Sequence, residues 1–326
     1  MTDPEKNAYI LIRRKLASSR ADIARMLGVS RPTASSIVQS LIDANLIAEC
    51  GKGKSNGGAN PIALAVRKNH VFTVGIDLGY TDCMSAVLLD AAGSIIAEKE
   101  VTFSSSELYD LAEKASSTVA EFYKIHPISG TAVALPGIVD EKSMTVLKSI
   151  NQNYYGNTIK KLLEKNLDMP VTVGNRSRMA AFSEAFGGAG DKENDFAIIS
   201  LGKSIGAAFW SGGNIFNGSS CAAGEIRNMR LKNGETFENN LAPEAIGNMT
   251  TDEIAALCAD GLVQLADIMD LELLILSGRF ADFGYPFARK LENIMSCQHP
   301  VRVRSARFGR FSAARGAAFK LGEMII

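Results

Sequence analysis

Cysteine and histidine are scarce and scattered in this chain. The five cysteines (Cys50, Cys83, Cys221, Cys258 and Cys297) lie more than 30 residues apart. No two have metal-ligand spacing, and an odd count points to reduced thiols rather than a disulfide framework. The three histidines, His70, His126 and His299, are isolated, and two of them precede proline; together with the cysteine spacing this argues against a metal site. No segment approaches the roughly 18 uninterrupted apolar residues of a membrane span, and the opening MTDPEKNAYILIRRK has no long apolar run. A soluble cytoplasmic protein is expected. Net charge is absent as well: 35 basic residues balance 35 acidic ones, which excludes no class of partner.

The balance conceals an asymmetry. Up to Asn69 the chain carries 11 Lys/Arg against 5 Asp/Glu, a net of +6, so the remainder sums to −6. A basic head on an acidic body fits a phosphate-binding module joined to a regulatory domain. With 326 residues, 46% of them hydrophobic, there is material for a small head and a two-lobed body.

The head reads as a winged helix-turn-helix over residues 1–66. A helix from near Ala21 places Ile23, Ala24 and Leu27 on one face. Gly28 then offers the positive φ of a tight inter-helix turn. Ser30 is a good N-cap, and Pro32 is tolerated in the first turn that follows. Ala34, Ile37, Val38 and Leu41 recur at helical spacing as a buried stripe. The other face of this second helix gathers Arg31, Thr33, Ser35, Ser36 and Gln39, which can reach base edges or phosphates in a major groove, with Ser30 at its start. Strands at 46–50 and 61–66 flank a glycine-rich loop with Lys52 and Lys54, a wing suited to the DNA backbone.

From Val71 the pattern becomes strand-turn-strand-turn-strand-helix-strand: 71–76, 83–89, 94–103, a helix over 106–124, then 130–134. That order is the first lobe of an actin/hexokinase-like, ribonuclease H-like α/β fold. Asp77 followed by Gly79 at the first turn lets backbone approach a phosphate while the carboxylate holds hydrated Mg²⁺. The last stretch, 305–324, reads as an amphipathic helix whose Arg304, Arg307, Arg310 and Arg315 form a solvated face.

Together these segments make the chain resemble the ROK family (repressors, open reading frames and kinases). The resemblance is carried by the winged head, by Gly75-Ile76-Asp77-Leu78-Gly79-Tyr80-Thr81, and by Leu135-Pro136-Gly137-Ile138-Val139-Asp140. It continues through Gly174-Asn175-Arg176 ahead of a helix ending Phe186-Gly187-Gly188-Ala189-Gly190, and Ala222-Ala223-Gly224-Glu225-Ile226-Arg227-Asn228-Met229. It implies a first lobe of residues 70–174 plus about 305–326 and a second lobe of 175–304. Only 53 residues separate Glu225 from Gly278, which makes the second lobe short for the family.

The departures from the family pattern bear on activity. Where family kinases have Asn-Asp, with that Asp as base for the sugar hydroxyl, this chain has Asn175-Arg176, and arginine cannot accept a proton. The second phosphate loop, Gly202-Lys203-Ser204-Ile205-Gly206, has lost glycines, Tyr80 replaces another, and Ser277-Gly278-Arg279 stands at the expected adenosine turn. The loops around Asp77, Gly79, Thr81, Gly202 and Gly206 are therefore expected to be vestigial. Glu225 matches a family sugar-binding residue, Asn228 replaces its histidine partner, and the cysteine cluster of the zinc region is missing.

The expectation is a DNA-binding regulator, a repressor of carbohydrate genes, that is not an enzyme and needs neither cofactor nor metal. A sugar effector would be sensed near Gly137, Asn175, Arg176, Glu225 and Asn228, with Arg176 suited to an anionic group on it. The operator is double-stranded DNA read by a homodimer. The alternatives are a sugar kinase carrying a regulatory head, and a ligand-blind regulator controlled by a protein partner.

Overall fold

Three helices and a pair of antiparallel strands open the chain: α1 (Asp3–Arg13), α2 (Arg20–Leu27), α3 (Arg31–Asp43), β1 (Ile47–Lys52) and β2 (Ile62–Val66). The structure, a computed structural model, describes residues 1–52, 61–80, 82–104, 107–149, 151–201 and 204–326. Ser19 caps α2 by accepting from the Asp22 N–H, and Ser30 caps α3 by accepting from the Thr33 N–H at 3.2 Å. Between them Gly28 is left-handed (φ 65°), the geometry the turn requires. Ala34, Ile37, Val38 and Leu41 are all buried. The strands begin one residue later than expected from sequence, and β1 runs on to Lys52. The wing loop, including Lys54, lies outside the described residues.

Two five-stranded sheets follow, and they repeat one plan. The first contains β3 (Thr73–Asp77), β4 (Cys83–Leu89), β5 (Ile95–Thr102), β6 (Gly130–Leu135) and, after the small ribbon β7 (Ile138–Asp140) and β8 (Thr145–Lys148), β9 (Val171–Asn175). Its order is β5-β4-β3-β6-β9, antiparallel across the first three strands and parallel across the last three. The second contains β10 (Phe196–Leu201), β11 (Ile205–Ser211), β12 (Asn214–Phe216), β13 (Leu273–Gly278) and β14 (Arg302–Ser305) in the equivalent order β12-β11-β10-β13-β14.

Helices α4 (Leu108–Tyr123) and α5 (Thr158–Leu167) cover the outer face of the first sheet. Helix α6 (Arg176–Ala185) lies between the sheets. The one-turn helices α7 (Phe237–Asn240) and α8 (Pro243–Ile246) lead to α9 (Thr251–Met269), which with α10 (Gly284–Met295) covers the outer face of the second sheet. The C-terminal α11 (Ser312–Met324) packs beside α6 between the sheets.

Strand burial follows from this layering. Along β4, Met84, Ala86 and Leu88 enter the outer core while Val87 and Leu89 enter the central one, so every residue is buried and no polar alternation remains. The α6–α11 crossing is built from small residues. A Cβ on Gly316 would fall 1.7 Å from the Met179 carbonyl oxygen, so only glycine permits the contact.

The C-terminal helix starts at Ser312, later than the expected 305. Residues 302–305 instead pair in parallel with β13, and a short turn over Gly309–Phe311 leads into the helix. The solvated arginine face is corrected with it. Arg315 is buried, donating to the carbonyls of Ser183 and Phe186, and Arg304 belongs to β14. Arg307 donates to Gly187 O, and Arg310 pairs with Asp282.

Candidate functional site: a cleft between the sheets and the exposed face of α3

The candidate ligand residues converge at the carboxyl ends of parallel strands, where strand order reverses and α/β folds place their ligands. Asp77 closes β3, Asn175 closes β9, Gly137 follows β6 and Gly206 lies on β11. Gly79, Gly137, Asn175, Arg176, Gly206 and Glu225 line one cavity of about 50 Å³. Pockets for small organic ligands measure roughly 300–1,000 Å³, so the cleft as it stands is narrower than such a pocket. Thr81 and Gly202 lie outside the described residues.

Arg176 dominates this cleft. Its Nε donates to both oxygens of Asp77, at 3.0 and 2.9 Å, and Asp77 is fully buried. Asp77 Oδ1 also accepts from the Gly79 N–H at 2.8 Å. The guanidinium carbon sits 4.3 Å from the centre of the Tyr80 ring, a cation–π contact. A Cβ on Gly79 would lie 2.0 Å from Arg176 Cδ, so the side chain occupies the space over the first loop. Burial works to lower the Arg176 pKa, but Asp77 and then Tyr80 outweigh it and hold the guanidinium firmly protonated. Tyr80 itself is pushed up to about 12, chiefly by burial. A fixed internal cation thus stands beside the carboxylate that a hydrated metal ion would need. Its Nε is committed to Asp77, while the side chain still lines the cleft.

The neighbouring polar groups are committed too. Asn175 donates from Nδ2 to Gly137 O at 2.7 Å and accepts the Arg178 N–H at 2.9 Å, which caps α6. Arg178, which sequence reasoning missed, is buried and donates to the carbonyls of Val139 (3.3 Å) and Cys221. It ties β7 and the loop before Glu225 to α6. An arginine in a helix's first turn gives no sequence signal of that role. Ser204 donates to Glu238, which also pairs with Arg227 at 2.7 Å.

Glu225 differs. It is half-buried and lines the cleft, and burial raises its pKa against the opposing pull of Arg227, Lys148 and Arg178. Its carboxylate is poised to accept hydroxyl donors from a ligand. Asn228 is not brought to the cleft: it ends the short turn Ile226–Asn228, is exposed, and is not among the lining residues. At the edge of the interlobe space Arg279, just after β13, pairs with Asp82, just before β4, at 3.0 Å.

The second candidate surface is α3. Arg31, Thr33, Ser35, Ser36 and Gln39 are all exposed. Ser30 and Thr33 hydroxyls lie 2.8 Å apart within the cap, and Gln39 donates to Asp43 at 2.8 Å. Among the described residues no carboxylate pairs with Arg31. The backbone of Lys52 closes β1 at the base of the wing.

A larger concavity, about 600 Å³, lies between α9, α10 and the Leu231–Asn233 segment, remote from these groups. Its charged members are spent, Lys232 on Asp260 at 3.0 Å and Glu253 on the α9 cap, so the cleft remains the stronger site.

Comparison with known proteins fits this arrangement. The family model described as "ROK family" matches residues 73–242. The chain is 24% identical over 299 residues to the xylose repressor of Bacillus spizizenii, covering 87% of this chain and 77% of that one. It is 25% identical over 231 residues to the DNA-binding transcriptional dual regulator NagC of Escherichia coli, covering 69% and 56% respectively. Among solved structures, a ROK family transcriptional regulator homologous to the E. coli MLC protein superposes with a TM-score of 0.75 at 17% identity, covering 98% of this chain and 96% of that one. A ROK glucokinase from Streptomyces griseus, bound to glucose and AMPPNP, superposes with a TM-score of 0.68 at 21% identity, covering 76% and 98%. At these identities the structures speak for the fold alone. Among the described residues no helix is long and apolar enough to cross a membrane.

Proposed function

The chain belongs to the ROK family, and on that premise we propose that it is a sequence-specific DNA-binding regulator that represses carbohydrate genes. Its kinase-like body is catalytically silent and serves as the sensor. The observation that carries this reading is the buried Arg176–Asp77 pair. Phosphoryl transfer needs a base at the sugar hydroxyl and a carboxylate free to organise Mg²⁺. One arginine removes both, replacing the base and neutralising Asp77.

The head, residues 1–66, would read a major groove with the exposed face of α3, using Arg31, Thr33, Ser35, Ser36 and Gln39 at base edges and Ser30, Lys52 and Lys54 toward the backbone. One helix contacts few base pairs, so a homodimer on paired half-sites supplies the affinity. The effector would be a neutral aldose of the kind named for the xylose repressor. Glu225, Asn175 and Gly137 would receive it once the lobes, 70–174 with 305–326 against 175–304, part to widen the cleft. Helix α11 lies between the two sheets and also touches α1 of the head, so lobe motion and head position are mechanically joined. A differential affinity of about 1–3 kcal/mol between lobe arrangements suffices for regulation.

The test is fluorescence anisotropy with the gene's own upstream duplex against a scrambled one, repeated with xylose and other aldoses. A preference of about 10³-fold, relieved by one sugar, is the expected result. A parallel assay for sugar-dependent ADP formation should read zero, and turnover there would restore the kinase reading. The narrowness of the cleft favours a second reading, a ligand-blind regulator set by a protein partner. It predicts no calorimetric heat with any sugar.

A further inference from the structure

Where the head meets the body, a third cavity of about 270 Å³ opens between the end of α1, the β4–β5 turn and the start of α11. Its wall is strongly cationic: Arg13, Arg14 and Lys15 come from the head, Arg307 and Arg315 from the body. Three guanidinium carbons sit over aromatic rings, Arg13 over Phe319 at 3.9 Å, Arg14 over Phe186 at 4.8 Å and Arg315 over Phe308 at 4.0 Å, as cation–π contacts.

The cationic side is incompletely matched. Arg13 is 3% exposed and spends Nε on Ala91 O and Nη1 on Phe319 O, yet its Nη2 has no partner among the described residues. Arg315, 6% exposed, spends both Nη groups on Ser183 and Phe186, and its buried Nε is likewise unmatched. Buried donors without acceptors are uncommon in native proteins and call for an explanation. The nearby acids offset only part of this charge. Glu323 forks onto Arg14 at 2.8 and 2.6 Å and lies 3.7 Å from Arg13 Nη1, Glu184 collects the backbone N–H groups of Ala189, Arg307 and Phe308, and Asp191 on the rim accepts from Gly187 N. Burial, with Arg13 and Arg307 alongside and only Glu184 and Glu98 opposing, brings Arg315 down to about 10.

We propose that this cavity is a site for a small phosphate monoester that bridges head and body. The volume suits a compact molecule, and the exposed cations Lys15 and Arg307 on the wall supply charge for its phosphate oxygens. Occupancy draws α1 toward the loop before α11 and fixes the head's orientation on the body. The effect of that on operator affinity rests on the DNA-binding reading above; the binding itself does not.

The test is calorimetry of the full chain with inorganic phosphate, glucose 6-phosphate and glucose. Saturable heat is expected with the two phosphates and none with glucose. Lys15→Gln with Arg307→Gln, both exposed residues, should weaken glucose 6-phosphate at least tenfold while the melting temperature holds. Absence of heat with either phosphate, or unchanged binding in the double variant, overturns the site. Equal heat from glucose and glucose 6-phosphate assigns the binding to the cleft and also overturns it. If the double variant loses DNA affinity while phosphates give no heat, these cations serve the duplex and the proposal fails. With the site in place, saturating glucose 6-phosphate should change operator affinity at least fivefold. An unchanged operator affinity overturns the coupling, and a chain that binds no operator condemns the DNA reading while the calorimetry still decides the site.

Discussion

On α3, Arg31, Ser35 and Ser36 face solvent with no internal partner among the described residues, whereas on the cleft floor Arg176, Asp77 and Asn175 are bonded to their own neighbours. Similar polar chemistry is thus held in two states. A surface that must meet an external partner keeps donors available, and water carries the cost while the partner is away. A buried floor cannot do that, because an uncompensated charge in low dielectric costs several kcal/mol. This chain meets the requirement internally, by pairing Arg176 with Asp77. Glu225 differs on the cleft wall: it is a half-buried carboxylate whose pKa burial raises.

The comparison breaks first at the buried pair. Arg176→Ala or Asp77→Ala should each destabilise by about 3–5 kcal/mol in urea melts, because the partner is left charged and buried. The double replacement Asp77→Leu/Arg176→Leu should recover most of that loss. A single-variant cost below about 1 kcal/mol would mean the pair is solvated, and the contrast with α3 would collapse.

At the exposed face the expectation is reversed. Arg31→Ala should leave the melting temperature unchanged and weaken operator binding by roughly 10- to 100-fold if it reads a base. An equal loss on a scrambled duplex, with a shallower salt dependence, would reassign Arg31 to the phosphates.

Smaller effects sharpen the picture. Arg279→Ala removes the partly exposed clasp to Asp82, so stability should fall by less than about 1 kcal/mol, while a sugar that needs a wider cleft should bind faster in stopped-flow measurements. For Glu225 the folded pKa is raised, so its stabilising contribution is present below the unfolded value and is lost as pH rises through the folded one. Glu225→Gln should therefore gain in stability on the wild type as pH goes from 4 to 7. A gain in the opposite direction would mean that Arg227, Lys148 and Arg178 prevail over burial.

Much of this molecule was legible in its sequence. Ser30, Gly28 and the Ala34–Ile37–Val38–Leu41 stripe placed α3 because capping, positive φ and helical periodicity are local effects. The segment 83–89 was placed as a strand because a β-rich run bounded by turns has few alternatives. The C-terminal start was misplaced by seven residues: Phe308 and Phe311 keep helical spacing with Ala314 and Ala318, yet parallel pairing with β13 claims 302–305 first. Helix α1 went unremarked, though it carries the contacts that seat the head on the body, Arg13 to Ala91 and Phe319 and Arg14 to Glu323. The family resemblance groups Asn228 with Glu225, but the short turn Ile226–Asn228 leaves it exposed and outside the cleft lining.

The sequence by itself determined the order of elements, the basic head, and an arginine at 176 where the family resemblance expects a base, because these depend on residue type and short-range spacing. Only the tertiary structure decided what Arg176 does instead. Asp77 lies 99 positions earlier, and no local rule says that a guanidinium will close over Gly79 onto that carboxylate. The same holds for Arg13, Arg14, Arg307 and Arg315, drawn from opposite ends of the chain into one cavity. Charges far apart in sequence acquire partners, or fail to, only when packing brings them out of water together.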